Sequence, residues 1–430
     1  MSSALRIGVA GLGTVGAGAL ALLQANREII AARCGRPLLV SAVSARDRSK
    51  DRGVDLSAVR WFEDAAVMAA DPDIDVVLEL IGGADGIAKT VVETAIRNGK
   101  AVVTANKALM AHHGTALALQ AEEAGVALAY EAAVAGGIPI IKILREGLAG
   151  NRVARIYGIL NGTCNYILTT MRESGREFGE VLAEAQQLGY AEADPSFDVD
   201  GVDAAHKLAI LTALAFGCEV NFAGVHTEGI REISAVDIAY ADELGYRIKL
   251  LGLARLVGEG VEQRVHPSMV RADAPIANVD GVFNAVVADG DFVDSTLAEG
   301  RGAGAGPTAS AVIADVIDIA RGLRLPAFTV PASQLRSLPS LQMERHEGAY
   351  YIRLMVLDQP GVIADVAAAL RDAEISVEAM LQRGRAPGEA VPVVITTHDT
   401  QESRMIEALR RIDALATVLE TPRMIRIESL

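Results

Sequence analysis

The sequence predicts an α/β chain of three parts. These are a doubly wound nucleotide-binding domain, an α+β middle domain, and a ferredoxin-like βαββαβ unit at the C-terminal end. Three observations predict this. A short apolar strand runs into Gly11-Leu12-Gly13-Thr14-Val15-Gly16 and then a helix. Strand-like runs at 74–83, 100–110 and the first half of 126–144 alternate with helical segments, as parallel βαβ units do. Residues 348–430 read strand, helix, strand, strand, helix, strand.

Composition narrows the function. The 430 residues suffice for two or three domains, and 51% hydrophobic content supplies a sizeable core. Aromatic residues are only 4%, and the net charge is 40 − 55 = −15. Both disfavour a nucleic-acid partner, which needs stacking rings and basic surface. Cys34, Cys164 and Cys218 are scattered, with no metal-ligand spacing and no disulfide framework, as in a reducing compartment. No basic-then-apolar leader precedes the first strand, and no apolar run reaches ~18 residues. The expectation is a cytoplasmic protein without membrane contact.

The first domain is expected over 1–135. Residues 5–10 form its first strand, and 17–32 the first helix. Gly11 permits a tight turn, Gly13 lets backbone approach a pyrophosphate, and Gly16 allows close helix–strand packing, the Rossmann-type pattern. The helix N-terminus then meets phosphate with free N–H groups. The second strand, 37–45, ends in Ala45-Arg46-Asp47-Arg48-Ser49-Lys50. Arg46 stands where an NAD site usually carries an acid, so NADP is favoured. An ordinary basic loop is the alternative, and Asp47 keeps NAD possible. Lys107 lies at the carboxyl end of the 100–110 strand, where open α/β sheets bind ligands, although a lysine there is commonly a surface residue. Glu131 sits in an apolar stretch and needs a partner. A bound cation with carbonyls of the Ala135–Gly137 bend would serve, as would a buried hydrogen bond.

The middle domain is expected over 136–322, with 300–322 returning toward the cofactor domain. A strand enters the turn Asn161-Gly162-Thr163, which caps a helix and can offer N–H groups to a carboxylate. Residues 189–207 set Glu192, Asp194, Asp198, Asp200 and Asp203 ahead of Lys207. Asp203 and Lys207 are four apart and share a helix face. Such a pair is usually a solvated surface pair; beside a zwitterion site it is a proton-transfer candidate. The glycines of 300–306 read as a close-approach loop ahead of Pro307 and a helix. Three prolines at 323–347 mark a linker, and 348–430 form the final unit, with a Gly/Pro-containing turn between its strands 376–384 and 390–398.

Taken in order, GLGTVG, ELIGG, VVTANKALMA, EAAVAGGIPI, NGTCNYIL, GYAEADPSFDVDGVDAAHK and GAGAGPTAS resemble the bacterial homoserine dehydrogenases, and DQPGVIADVA resembles the start of an ACT regulatory domain. The resemblance covers essentially the whole chain. It implies that Leu12, Thr14, Val15, Arg46 and Lys107 contact the cofactor, with Gly306 at the nicotinamide. It implies that Glu192 and Asp203, supported by Asp198, bind the amino-acid end of the substrate. Lys207 would carry the proton, with Lys107 orienting substrate and stabilising the oxyanion. Glu131 and the carbonyls of Val134, Gly136 and Ile138 would hold a monovalent cation such as sodium.

The implied reaction is the reversible NAD(P)-dependent interconversion of L-aspartate 4-semialdehyde and L-homoserine, in threonine, methionine and isoleucine biosynthesis. L-Threonine is the implied effector, and a homodimer or homotetramer the implied assembly. Two rivals remain. A dehydrogenase acting on an amine would not need the acidic run before Lys207. A non-catalytic nucleotide- and amino-acid-sensing protein would not need Lys207 at all.

Overall fold

The computed structural model describes residues 3–383, 386 and 388–430. The first domain contains β1 (Leu5–Ala10), α1 (Thr14–Ala25), α2 (Arg27–Cys34), β2 (Leu38–Ser44), β3 (Arg60–Phe62), α3 (Ala65–Ala70), β4 (Val76–Glu79), α4 (Ile87–Arg97), β5 (Ala101–Thr104), α5 (Lys107–Glu123) and β6 (Leu128–Ala129). Its six strands are parallel, in the order β3-β2-β1-β4-β5-β6. The order reverses beside β1, and a doubly wound sheet opens its ligand crevice there. Strands β1, β4 and β5 are almost continuously apolar and buried, because helices cover both faces.

Next come α6 (Ile140–Lys142), β7 (Val153–Ile159), α7 (Gly162–Ser174), α8 (Phe178–Gln187), α9 (Ser196–Val199), α10 (Val202–Phe216), β8 (His226–Thr227), α11 (Ala235–Glu243), β9 (Tyr246–Val257), β10 (Gly260–Arg271), β11 (Phe283–Gly290), β12 (Asp294–Arg301) and α12 (Ala305–Ala320). Helix α10 is buried on nearly every face, so its composition is apolar all round rather than amphipathic. It lies between α5 and the β7–β9–β10 sheet. Helix α12 leaves this region and packs Ala309, Val312 and Val316 into the core of the first domain, against α1.

The last unit holds β13 (Glu347–Leu357), α13 (Val362–Asp372), β14 (Val377–Gln382), β15 (Ala390–Thr397), β16 (Thr400–Gln401), α14 (Glu402–Asp413) and β17 (Arg423–Glu428). The βαββαβ order is the expected one; the turn joining its two middle strands lies partly outside the described residues. Its sheet does not stand alone. Strand β17 pairs in parallel with β10 through Ser268↔Arg426, Met269↔Ile427 and Val270↔Glu428. One sheet therefore runs β12-β11-β7-β9-β10-β17-β13-β15-β14 across both units.

Several boundaries differ from the sequence reading. The first helix starts at Thr14, directly after Gly13, and breaks at Asn26 into α1 and α2. The strand expected over 100–110 stops at Thr104, because Asn106 caps a helix there: its Oδ1 accepts the Leu109 N–H at 3.0 Å. Lys107, expected in the turn Thr104–Lys107 at the strand's carboxyl end, is the first residue of α5. The glycine stretch ends sooner than expected, since α12 already begins at Ala305; Gly306 is in its first turn, where Pro307 lacks only an N–H that would go unpaired.

Candidate functional site

Two cavities open at the carboxyl ends of the first sheet. The larger, about 800 Å³, is lined by Gly11, Leu12, Gly13, Ser44–Asp47, Lys50, Arg52, Leu80 and Ile81 among others. Gly11 has φ +99, and a side chain there would strike the Leu80 carbonyl at 2.5 Å, so the tight turn requires glycine. Thr14 and Val15 begin α1, just past the lining residues. Arg46 and Lys50 both face this cavity. The Asp47 carboxylate is turned onto its own loop, where Oδ1 accepts the Ser49 N–H at 2.8 Å and the Ser49 hydroxyl at 2.6 Å. Arg52 was missed by sequence reasoning. Its Nε donates to the Leu12 carbonyl at 3.1 Å and its Nη1 to the Lys50 carbonyl at 2.6 Å, tying the glycine turn to the basic loop. No local motif signals such a long-range brace.

The second cavity, about 410 Å³, is where the lysines meet. Lys207 projects from α10, 7% exposed, and its Nζ donates to Asp203 Oδ2 and to the Leu160 carbonyl, each at 2.7 Å. Lys107, at the start of α5, forms an ion pair with Asp203 Oδ1. The Asn106 cap fixes its origin: Asn106 Nδ2 donates to the Gly83 carbonyl at 2.7 Å. Asn161, recognised from sequence only as a cap, also braces the acids. Its Nδ2 donates to Asp198 Oδ1 and Asp203 Oδ2, both at 2.8 Å. One carboxylate therefore holds two amines from two domains.

Electrostatics separate the two lysines. Burial lowers the Lys207 pKa; Asp203 opposes this, Lys107 adds to it, and the net shift is downward. Burial also pulls on Lys107, but Asp203, Asp198 and Glu192 outweigh it, and Lys107 is raised. Asp203 is held far below the usual carboxylate range: burial opposes ionisation, and the two ammonium groups overcome it. Asp198 is raised, by burial and then by Asp203. Cys164 is fully buried and its thiol is pushed up, so it is inert.

The remaining predicted residues lie around this centre. Glu192 is exposed and outside the cavity lining, near enough to contribute to the Lys107 shift. Gly302, Ala303 and Gly304 line the cavity, whereas Gly306 lies beyond them at the α12 terminus. Glu131 is 1% exposed; its oxygens accept the N–H groups of Ile141 and Lys142 at 2.9 and 3.0 Å. That is the buried-hydrogen-bond alternative left open by the sequence. Burial and neighbouring Asp315 still push Glu131 up to about 7. Val134, Gly136 and Ile138 follow in a bend with Ala135 at φ 55 and Gly136 at φ 51, and the Ile138 carbonyl accepts the Ile140 N–H at 2.8 Å. Among the described residues, no helix is long and apolar enough to cross a membrane.

Comparison with known proteins agrees over the full length. Family models match residues 11–131 (homoserine dehydrogenase, NAD binding domain), 139–317 (homoserine dehydrogenase) and 350–414 (ACT domain). Homoserine dehydrogenases of Neisseria gonorrhoeae and Pseudomonas aeruginosa are each 48% identical, with 99% of both chains covered. A crystal structure of a Thiobacillus denitrificans homoserine dehydrogenase superposes with TM-score 0.93 at 46% identity, covering 99% of this chain and 98% of that one. A hyperthermophilic archaeal homoserine dehydrogenase in complex with NADPH gives TM-score 0.64 at 26% identity, covering 75% of this chain and 99% of that one.

Proposed function

The chain belongs to the homoserine dehydrogenase family and is an NAD(P)-dependent oxidoreductase of amino-acid biosynthesis, and from this premise we propose how its residues divide the work. The observation that carries the proposal is the shared carboxylate: Asp203 holds Lys207 and Lys107 in one cavity while their pKa values move apart. Lys207 is the proton carrier. In its neutral form it takes the hydroxyl proton of L-homoserine; in its charged form it returns a proton to the alkoxide formed from L-aspartate 4-semialdehyde. Lys107 stays charged, orients that oxygen and stabilises its developing negative charge. Asp203, Asp198 and Glu192 recognise the substrate ammonium group, and the first N–H groups of α7 its carboxylate. The nicotinamide cofactor supplies or accepts the hydride.

The cofactor is NADP in preference to NAD. Arg46 and Lys50 line the large cavity together with three acids, of which Asp47, next to Arg46, is occupied by Ser49 and Asp64 by the Ala66 N–H. A guanidinium there suits a 2′-phosphate. The NADPH complex of the archaeal relative points the same way. A monovalent cation such as sodium would be held by Glu131 with the carbonyls of Val134, Gly136 and Ile138. Two neighbouring buried acids, Glu131 and Asp315, have Lys142 as a counter-charge through its ion pair with Asp315 at 3.0 Å, and one further positive charge would keep Glu131 ionised.

The ACT domain is regulatory, with L-threonine as the effector, in a cytoplasmic homodimer or homotetramer that supplies threonine, methionine and isoleucine synthesis. The testing experiment is the initial rate of NADP+ reduction by purified protein with L-homoserine, with and without L-threonine. A rate suppressed by threonine is expected. An unaffected rate would remove the effector from the proposal, and no rate with NADP+ or NAD+ would remove the reaction.

A further inference from the structure

Asn284, the second residue of β11, is 1% exposed, and neither its Oδ1 nor its Nδ2 has a hydrogen-bond partner. Buried polar groups are almost always paired, and an orphaned amide is costly. Asn284 lines the same cavity as Lys107, Asp203 and Lys207.

The backbone is shaped around this amide. A side chain at Gly302 would fall 2.2 Å from Asn284 Nδ2, so the loop after β12 lies directly against it. On the other side, a side chain at Gly162 would come within 3.4 Å of Asn284 Oδ1. The amide is therefore held between the Gly302 loop and the first residue of α7. Gly162 and Thr163 open that 13-residue helix, and their N–H groups have no intrahelical acceptor; Asn161 Oδ1 takes only that of Cys164, at 2.8 Å. Unpaired N–H groups at a helix terminus favour an anion. Asn284 adds an independent, unpartnered donor beside them.

We propose that Asn284 is a substrate-binding residue whose Nδ2, together with the N–H groups of Gly162 and Thr163, holds the α-carboxylate of the amino-acid substrate. The inference rests on the homoserine dehydrogenase reading and adds a residue to it. It also gives Gly302 a purpose: any larger residue there would evict the amide.

The test compares wild type with Asn284→Ala and the near-isosteric Asn284→Asp. Asn284→Ser is the replacement should the alanine variant fail to fold. The measurements are KM for L-homoserine, KM for NADP+, and the inhibition constant of 3-amino-1-propanol, which is homoserine without its carboxylate. The expected result is a homoserine KM raised about tenfold or more, the usual worth of a hydrogen bond to a charged group. Aspartate should do more damage than alanine, because it opposes one carboxylate with another. KM for NADP+ and the 3-amino-1-propanol constant should stay within about twofold of wild type. A homoserine KM that does not move, or equal losses for homoserine and 3-amino-1-propanol, would overturn the assignment. A wild-type chain inactive on homoserine would instead overturn the reading beneath it.

Discussion

At the smaller cavity, two amines from α5 and α10 share one carboxylate, Asp203. At the β10–β17 seam the proportions are reversed. Arg264 meets Glu428 at 2.8 and 2.9 Å and pairs with Glu262, while Arg426 meets Glu228 at 2.8 Å through both Nη groups and pairs with Glu402. Both clusters have buried centres, Asp203 in one and Arg264 and Arg426 in the other, and both join two parts of the chain. They differ in what their cations can do. A guanidinium does not release its proton in a protein, so the seam can only hold. A buried amine short of negative charge can, and Lys207 is that amine. In the proposed mechanism, buried charge becomes chemistry because two lysines compete for one acid in a cavity of about 410 Å³.

The strongest way to break this contrast is Lys207→Ala. Loss of a general acid–base group should cost about 10²–10⁴ in kcat. Cofactor binding, followed by nucleotide fluorescence titration, should barely change. Turnover close to wild type would erase the distinction between the clusters.

The seam should respond in the opposite currency. Arg426→Met leaves Glu402 and Glu228 without their shared cation, and breaking a buried pair costs about 3–5 kcal/mol. Denaturant unfolding should register that loss, while kcat of the molecules that remain folded stays near wild type. An unchanged midpoint would make the seam ornamental.

A third charged group, at the mouth of the nucleotide cavity, tests whether exposed charge can select a ligand. Arg46→Ala should raise KM for NADP+ about 10–100-fold, as expected for a lost hydrogen bond to a charged group, and leave KM for NAD+ within about twofold. Equal effects on both cofactors would contradict a 2′-phosphate contact.

The smallest expected effect concerns Glu131. Its folded pKa, pushed up to about 7, favours the protonated form below that pH and penalises folding as pH rises through it. A cation bound to the ionised form should reverse the penalty. Replacing choline by sodium should therefore raise Tm by a few degrees at pH 8 and by less at pH 6. A sodium effect absent at both values would leave Glu131 with its two backbone N–H partners and no ion.

Much of this was legible from local sequence. Gly11 and Gly16 announce a turn because few residues tolerate it, and the i,i+4 spacing of Asp203 and Lys207 is helical geometry read directly. The C-terminal unit showed through its alternating periods. What escaped depends on contacts between distant segments. Nothing around Arg426 indicates that β17 will pair with β10, whose partner residues lie 158 positions earlier (426 − 268). Nothing in the local sequence singles out Asn284; its setting comes from Gly302 and Gly162 closing on it in the fold. The turn after β5 was legible, but not the helix that begins at Lys107, which depends on the Asn106 cap hydrogen bond.

The most direct test of the central claim is the pH dependence of kcat for homoserine oxidation. The base must be neutral, so the rate rises with pH through the Lys207 pKa and then levels. Because that pKa is lowered, the plateau should arrive below the ~10.4 of an ordinary lysine. A rate still climbing tenfold per pH unit through that value would mean that Lys207 is not the group that takes the proton.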